Sequence, residues 1–301
     1  MEYNETWLVT GASGFFGANF PIASDSAELI SLTRTGVIPT GYQRGVTANL
    51  TDPQSIISAI EMVQPTYILH AAALASHEEC ERNPDLAYAV NARATGMIAE
   101  AAQRVGSKLI YLSTDAVFNG DTGNYLENDF PDPFSVYGKS KLEGELSALG
   151  VDPHSLVIRT NFFGWSPSGQ RSILEFVVNN LEAGIPIDGY SDFTVSSIYV
   201  RYLAHHIRQL RVKSGIWHVA SSDALTKYDF GLNVATEFGL NPALITPVTG
   251  KGEVSRARNI SLDTNQLQSF LSEIGALTPL STQREGIALA HKDRRLPAKS
   301  V

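Results

Sequence analysis

Cysteine is nearly absent from this sequence. Cys80 is the single one in 301 residues, so no intrachain disulfide can form. No cysteine pair and no His-Glu-x-x-His helix is present, so nothing in the pattern suggests a metal site. His205 and His206 are neighbours on an expected helix and point in different directions, which argues against a joint ligand role. A basic excess is also lacking: 31 acidic residues against 23 Lys and Arg give a net charge of −8. That argues against a nucleic-acid binder while leaving room for a local basic pocket. The longest apolar run, around Tyr67 to Ala75, is too short to span a bilayer. The first residues carry Glu2 and Glu5 and no basic or apolar leader, so no signal peptide is expected and a cytoplasmic location is the default. Repeats and low-complexity segments are missing too. What remains is 43% hydrophobic and 18% charged residues, the composition of a soluble globular protein with one large domain or two medium ones.

The chain opens with a buried-type strand, Thr6 to Thr10, followed at once by Gly11-Ala12-Ser13-Gly14-Phe15-Phe16-Gly17. Gly11 permits a tight turn, Gly14 lets the backbone approach a pyrophosphate, and Gly17 lets the following helix pack on the strand. The N–H groups at that helix start then face the phosphates. A second strand, Glu28 to Leu32, ends in Thr33-Arg34. An acidic residue there would hold the ribose 2′-hydroxyl of NAD. None is present, and Thr33 and Arg34 suit the 2′-phosphate of NADP, unless Arg34 is simply solvated. A third strand, Gly45 to Ala48, leads to Asn49 and Leu50, which either flank an adenine ring or merely end the strand. Thr51 or Asp52 caps the helix that starts near Pro53.

A fourth strand, Thr66 to His70, runs into Ala71-Ala72-Ala73, small residues against which a cofactor can lie. His70 reads as a packed strand-end histidine rather than a catalyst. Asp85 to Val105 has the spacing of one long helix with Asn91 inside it. A mid-helix Asn is unfavourable by propensity, so it either has a task or faces solvent. A fifth strand, Lys108 to Leu112, ends in Ser113-Thr114-Asp115, and strand ends are where ligands bind in such sheets. After a polar loop come Tyr137 and Lys141, four residues apart on one face of a helix. A cation beside a phenol lowers its pKa and makes it a proton donor or acceptor near neutral pH. Leu156 to Arg159 is a sixth strand. The alternation predicts an α/β fold, a Rossmann-type doubly wound parallel sheet in residues 1–160. A smaller mixed α/β C-terminal substrate-binding domain, partly interleaved with the first, is expected in 161–301. Its last helical region is expected from Leu262 to Ile274, with a frayed basic tail after Lys292.

Together these residues resemble the extended short-chain dehydrogenases/reductases, and within them the dTDP-4-dehydrorhamnose reductase group of nucleotide-sugar 4-ketoreductases. The landmarks are Thr10 to Gly17, His70 to Ala73, Asn91, Leu112-Ser113-Thr114-Asp115-Ala116-Val117-Phe118, Tyr137-Gly138-Lys139-Ser140-Lys141, Arg159-Thr160, and Arg256 to Asp263. The resemblance implies an NAD(P)H-dependent oxidoreductase of dTDP-rhamnose or related deoxysugar biosynthesis. NADPH is the expected cofactor, with NADH the other option. Tyr137 would protonate the C4 carbonyl oxygen, Thr114 would orient it, Lys141 would hold the nicotinamide ribose and depress the tyrosine pKa, and Asn91 would support the site through its helix. The cofactor is expected on Gly11, Ser13, Gly14, Phe15, Phe16, Gly17, Arg34, Asn49, Leu50, Ala71, Ala72, Ala73, Tyr137 and Lys141. The nucleotide sugar is expected on Ala75, Ser76, Thr114, Asp115, Val117, Phe118, Asn161, Arg256 and Arg258. No metal, nucleic acid or membrane partner is expected, and a homodimer is allowed. The departures are Ala257, Ile260, Phe15-Phe16, Ala116 and Arg201-Tyr202, which bear on the substrate rather than the redox chemistry. Two other readings compete: an epimerase or dehydratase of the same superfamily, and a non-catalytic NADP-binding regulatory subunit. Dehydratases usually carry a second acid after the threonine, where this chain has Ala116.

Overall fold

Trp7, Leu8 and Val9 are three consecutive apolar residues, all buried, as in a strand covered on both faces. They lie in β1 (Glu5–Thr10) of a seven-stranded sheet in the computed structural model, which describes residues 4–23, 27–250 and 258–295. The other strands are β2 (Ala27–Thr33), β3 (Arg44–Thr47), β4 (Tyr67–His70), β5 (Lys108–Leu112), β6 (Leu156–Arg159) and Gly215–His218. Their spatial order is Gly215–His218, β6, β5, β4, β1, β2, β3. The pairings among β1 to β6 are parallel, with Leu8 in register with both Ile30 and Ile68. Chain order reverses between β1 and β4, which is where a ligand crevice forms at the carboxyl ends of such strands.

The helices are α1 (Phe15–Asn19), α2 (Pro53–Val63), α3 (His77–Arg82), α4 (Pro84–Tyr88), α5 (Ala94–Val105) and α6 (Val136–Val151). Asp52, not Thr51, caps α2 by accepting the Gln54 N–H at 3.1 Å, with Pro53 at the first helical position. One core cluster joins Leu8, Ile30 and Ile68 of the sheet to Ile56 and Ile60 of α2 and Ile98 of α5. The long helix expected over 85–105 is broken in register: a π-helical segment, Ala89–Arg93, joins α4 to α5 and contains Asn91. Such one-turn widenings release a carbonyl from the regular ladder and recur at functional sites.

The chain divides into two compact units that are interleaved in sequence. The first is Met1–Asn119, Phe130–Arg159 and Ala204–Trp217; the second is Gly120–Asp129, Thr160–Leu203 and His218–Val301. The second unit holds short strand pairs, Ile187–Tyr190 with Ile245–Val248 and Thr194–Val195 with Leu225–Thr226. Its helices include Ile173–Glu182, Lys227–Phe238 and Asn265–Glu273. It also contains a helix that the spacing did not announce, Gln283–Arg295. Gly286 inside it and six charged residues among its thirteen mask a short apolar face. Ile287 and Ala290 are fully buried, and Asp293 accepts from the Tyr199 hydroxyl and Arg201, each at 2.5 Å. The fraying expected after Lys292 therefore does not begin there. Among the described residues, no helix is long and apolar enough to cross a membrane.

Candidate active site

The glycine turn forms as its residues dictate. Gly11 has a φ of +67°, and a Cβ on it would sit 2.8 Å from the backbone of Ala72. A Cβ on Gly17 would be driven into the Gly11 carbonyl oxygen. The turn is thus packed against the Ala71–Ala73 segment after β4, and the start of α1 against the turn itself. No side chain caps α1, whose N-cap is Gly14, and its first turn holds no acidic residue. Its leading N–H groups suit a phosphate. Ser13 is exposed and Phe15 half-buried, but Phe16 turns its ring inward toward Phe20, so its expected cofactor contact reduces to backbone. Arg34 is exposed just beyond β2. Asn49 is also exposed, with its side-chain oxygen bound to Thr51, while Leu50 packs against the core cluster.

At the other side of the crevice, α6 begins at Ser135, whose hydroxyl accepts the Gly138 N–H at 3.1 Å. That cap places Tyr137 and Lys141 one turn apart on one face. Thr114 caps the short turn Asp115–Val117 after β5, and its hydroxyl lies within hydrogen-bonding reach of the Tyr137 phenol. The Tyr137 ring also meets the His77 imidazole, centroids 4.7 Å apart. His77 was not among the expected site residues; its signal was only its place seven residues after β4.

The electrostatics reverse one expectation. Burial pushes the Tyr137 phenol up to about 12, opposed by the Thr114 hydrogen bond and assisted by the Asp115 charge. Lys141 does not depress it. The Lys141 ammonium donates to the Leu112 carbonyl at 2.7 Å and lies 4.0 Å from the Tyr111 ring centroid. Burial lowers it to about 7, against the charge of Glu145. The chain by itself therefore holds a protonated phenol and a lysine near its titration point.

Asn91 faces no solvent. Its side chain accepts from Leu74 N–H at 2.8 Å and donates to the Leu74 carbonyl at 3.1 Å and to Ser140 Oγ at 3.0 Å. It pins the segment after β4 to α6, which makes it a positioning residue rather than a catalytic one. Its backbone carbonyl accepts from Thr95 and from the Tyr111 hydroxyl. His70 belongs to the same network. Thr10 Oγ1 takes the Ala72 N–H and lies 2.7 Å from His70 Nδ1; His70 Nε2 lies 3.1 Å from Thr95 Oγ1. Because Thr95 donates onward to Asn91, the network assigns the ring proton to Nε2.

Burial, helped by the Lys141 charge, lowers His70 to about 3. A histidine held neutral in the fold and free to protonate in the unfolded chain costs stability as pH falls. The loss runs from the unfolded value near 6.5 down toward 3, at up to about 1.4 kcal/mol per pH unit. His206, lowered to about 4, adds slope of the same sign. Denaturant melts at stepped pH are expected to show a shallower acid loss for His70→Asn than for the parent protein; parallel curves would contradict the assignment.

The expected sugar contacts fare unevenly. Asp115 is buried beside Thr114, which donates to it at 3.1 Å. Val117 and Phe118 are fully enclosed, Phe118 beneath the Arg159 guanidinium, so they support the loop and offer no open surface. The Ser76 hydroxyl caps α3, and Ala75 is exposed beside it. Asn161 accepts from Ser197 Oγ at 2.5 Å within the second unit. Arg258 is exposed there, its carbonyl bound to Thr194 N–H; Arg256 lies outside the described residues. Among the described residues no group of three His, Cys, Asp or Glu side chains could hold a metal.

Residues 5–293 match the family described as the RmlD substrate binding domain. The chain is 31% identical over 237 residues to the dTDP-4-dehydrorhamnose reductase of Aggregatibacter actinomycetemcomitans, covering 76% of this chain and 78% of that one. It is also 31% identical over 278 residues to the methionine adenosyltransferase 2 subunit beta of Danio rerio, covering 87% and 83%. The crystal structure of a dTDP-4-dehydrorhamnose reductase from Bacillus anthracis str. Ames in complex with NADP superposes with a TM-score of 0.84, at 22% identity over 96% of this chain and 99% of that one, and so shares its fold. The chain belongs to the RmlD family of extended short-chain dehydrogenases/reductases.

Proposed function

We propose that this chain is a cytoplasmic NADPH-dependent reductase of the C4 ketone of a nucleotide-linked 6-deoxy sugar, best fitted by conversion of dTDP-4-dehydrorhamnose to dTDP-L-rhamnose. The observation that carries it is the meeting of the Thr114 and Tyr137 hydroxyls at the ends of β5 and α6, with Lys141 one turn further on. Two hydroxyl donors converging on one point suit a carbonyl oxygen that becomes an alkoxide. Residues 1–160 would bind the cofactor, with Arg34 and no acid at the end of β2 favouring the 2′-phosphate. When bound, the reduced nicotinamide supplies the hydride. Thr114 orients the ketone, Tyr137 gives up the phenolic proton to its oxygen, and Lys141 holds the ribose side. Residues 161–301 would recognise the nucleotide sugar, Arg258 being suited to its diphosphate.

The second reading is a non-catalytic NADP-binding subunit, favoured by the likeness to methionine adenosyltransferase 2 subunit beta. The intact Thr114–Tyr137 pair weighs against it. Oxidation of NADPH and NADH measured with a panel of dTDP-4-keto-6-deoxy sugars separates the two. Turnover with NADPH preferred is expected; none with any ketosugar, together with tight NADP binding, would favour the subunit.

A further inference from the structure

Three consecutive residues at the end of β5 each meet a different group on one face of α6. The Leu112 carbonyl takes the Lys141 ammonium at 2.7 Å. Ser113 Oγ donates to Glu145 Oε1 at 2.5 Å. Thr114 reaches the Tyr137 phenol. Tyr137, Lys141 and Glu145 stand at i, i+4 and i+8, so they form one line along the helix. Two of these rungs involve groups already assigned to the chemistry. The third, Ser113–Glu145, is assigned to nothing.

Glu145 is 1% exposed and pairs with Arg159, 2% exposed, at the end of β6. The Arg159 Nε donates to both carboxylate oxygens at 3.1 Å and its NH2 to Oε2 at 2.7 Å. Burying an ion pair this fully is a weak way to stabilise a fold, because well-packed apolar residues often do as well or better. The pair does fix geometry. It ties α6 to β6, and through Ser113 to the residue that precedes Thr114, while the Arg159 guanidinium covers Phe118 on the far side of the Asp115–Val117 turn.

We propose that the buried Ser113–Glu145–Arg159 cluster is a positioning device, setting the register of β5 against α6 so that Thr114, Tyr137 and Lys141 are held as one unit. This rests on the reductase reading for the meaning of the unit, though not for its geometry. The Glu145 carboxylate is also the charge that opposes the burial of Lys141. Around Lys141, the Glu145 charge acts on it directly, His70 feels its charge and the Tyr111 ring lies 4.0 Å from it, with Arg159 paired to Glu145. Tyr137 on the same helix face meets Asp115 in the turn after β5 and His77 and Cys80 on α3, while Lys139 and Glu143 of α6 are exposed. Burial keeps His70 neutral and both tyrosines protonated near neutral pH, and it brings Lys141 down into that range.

Two substitutions test it. Ser113→Ala removes the rung and leaves the ion pair; Glu145→Gln keeps a similar shape and removes the charge. NADPH affinity is measured by fluorescence between about pH 6 and 9, kcat with the ketosugar at each pH, and unfolding by denaturant. Ser113→Ala is expected to lose about 5-fold or more in kcat with little change in stability or NADPH affinity. Glu145→Gln is expected to move the pH dependence of NADPH binding down by about half a unit or more. Should Glu145→Gln not fold, Ser113→Ala and the conservative Glu145→Asp decide, Asp being expected to restore the pH profile. Wild-type kcat in Ser113→Ala, or an unmoved NADPH–pH profile in the glutamate variant, overturns the proposal. If the parent protein turns over no ketosugar, the reductase reading fails, and the binding titration still decides the role of Glu145.

Discussion

Tyr137→Phe is expected to lower kcat with a dTDP-ketosugar by about 10²–10⁴-fold while leaving NADPH binding nearly unchanged. The phenol is the hydroxyl acid placed against Thr114, and in the protein alone its proton is held firmly, at a pKa of about 12. In the direction of ketone reduction this is the useful form: the group must carry a proton until charge develops on the substrate oxygen. A phenylalanine keeps the ring that packs on His77. Ser135 continues to cap α6, so the fold and the glycine turn are untouched. Steady-state kinetics beside a fluorescence titration of NADPH check both halves. A variant that retains more than about a tenth of the parental kcat would mean that the proton comes from elsewhere. Residual activity near neutral pH is expected to come from Thr114 and from substrate binding, since the remaining hydroxyl donor is left in place.

The sheet was legible because its signals are local. β1, β2, β4, β5 and β6 are short, largely apolar runs bounded by turns, and the glycine turn, the alanine run and Thr114 follow strand ends along the chain. The nearness of Thr114 to Tyr137 was legible for the same reason. What could not be read was everything decided by packing between elements distant in sequence. The spacing around Asn91 is that of a plain helix; the π turn appears only because its carbonyl serves Thr95 and Tyr111 and its amide clamps Leu74 to Ser140. The direction of the Lys141 ammonium is set by the Leu112 carbonyl on β5, 29 residues away, and a rule about Tyr and Lys at i and i+4 cannot anticipate that partner. Glu145 looked like any helix carboxylate until Arg159 and Ser113 enclosed it. The second unit was least legible. Its strands are two to four residues long, and the helix Gln283–Arg295 shows its apolar face only where Ile287 and Ala290 meet their neighbours.

Gly138→Ala is expected to cost about 10²-fold in kcat, although Ala is the better helix former by about 1 kcal/mol. Gly138 is where α6 passes beneath the turn that carries Thr114. A methyl there would be forced into the Ala116 carbonyl oxygen and would lie 2.8 Å from the Pro133 Cβ. Backbone cannot swing aside as a side chain can, so α6 and the turn must part. Tyr137 moves with the helix and Thr114 with the turn, and the separation opens the two-hydroxyl site at its centre. Overpacking of this kind also lowers stability by about 1–3 kcal/mol. Gly150, on the same helix, is the control: a Cβ there meets nothing within 4 Å, so Gly150→Ala should keep kcat and gain about 0.5–1 kcal/mol. Kinetics and denaturant melts of both variants give the comparison. A loss confined to geometry should also be non-additive, with Tyr137→Phe adding little once Gly138→Ala has drawn the two hydroxyls apart. Equal kcat in the two alanine variants would show that the contact yields without disturbing the pair. A full additive loss in the double variant would place the effect of Gly138 outside the Thr114–Tyr137 contact.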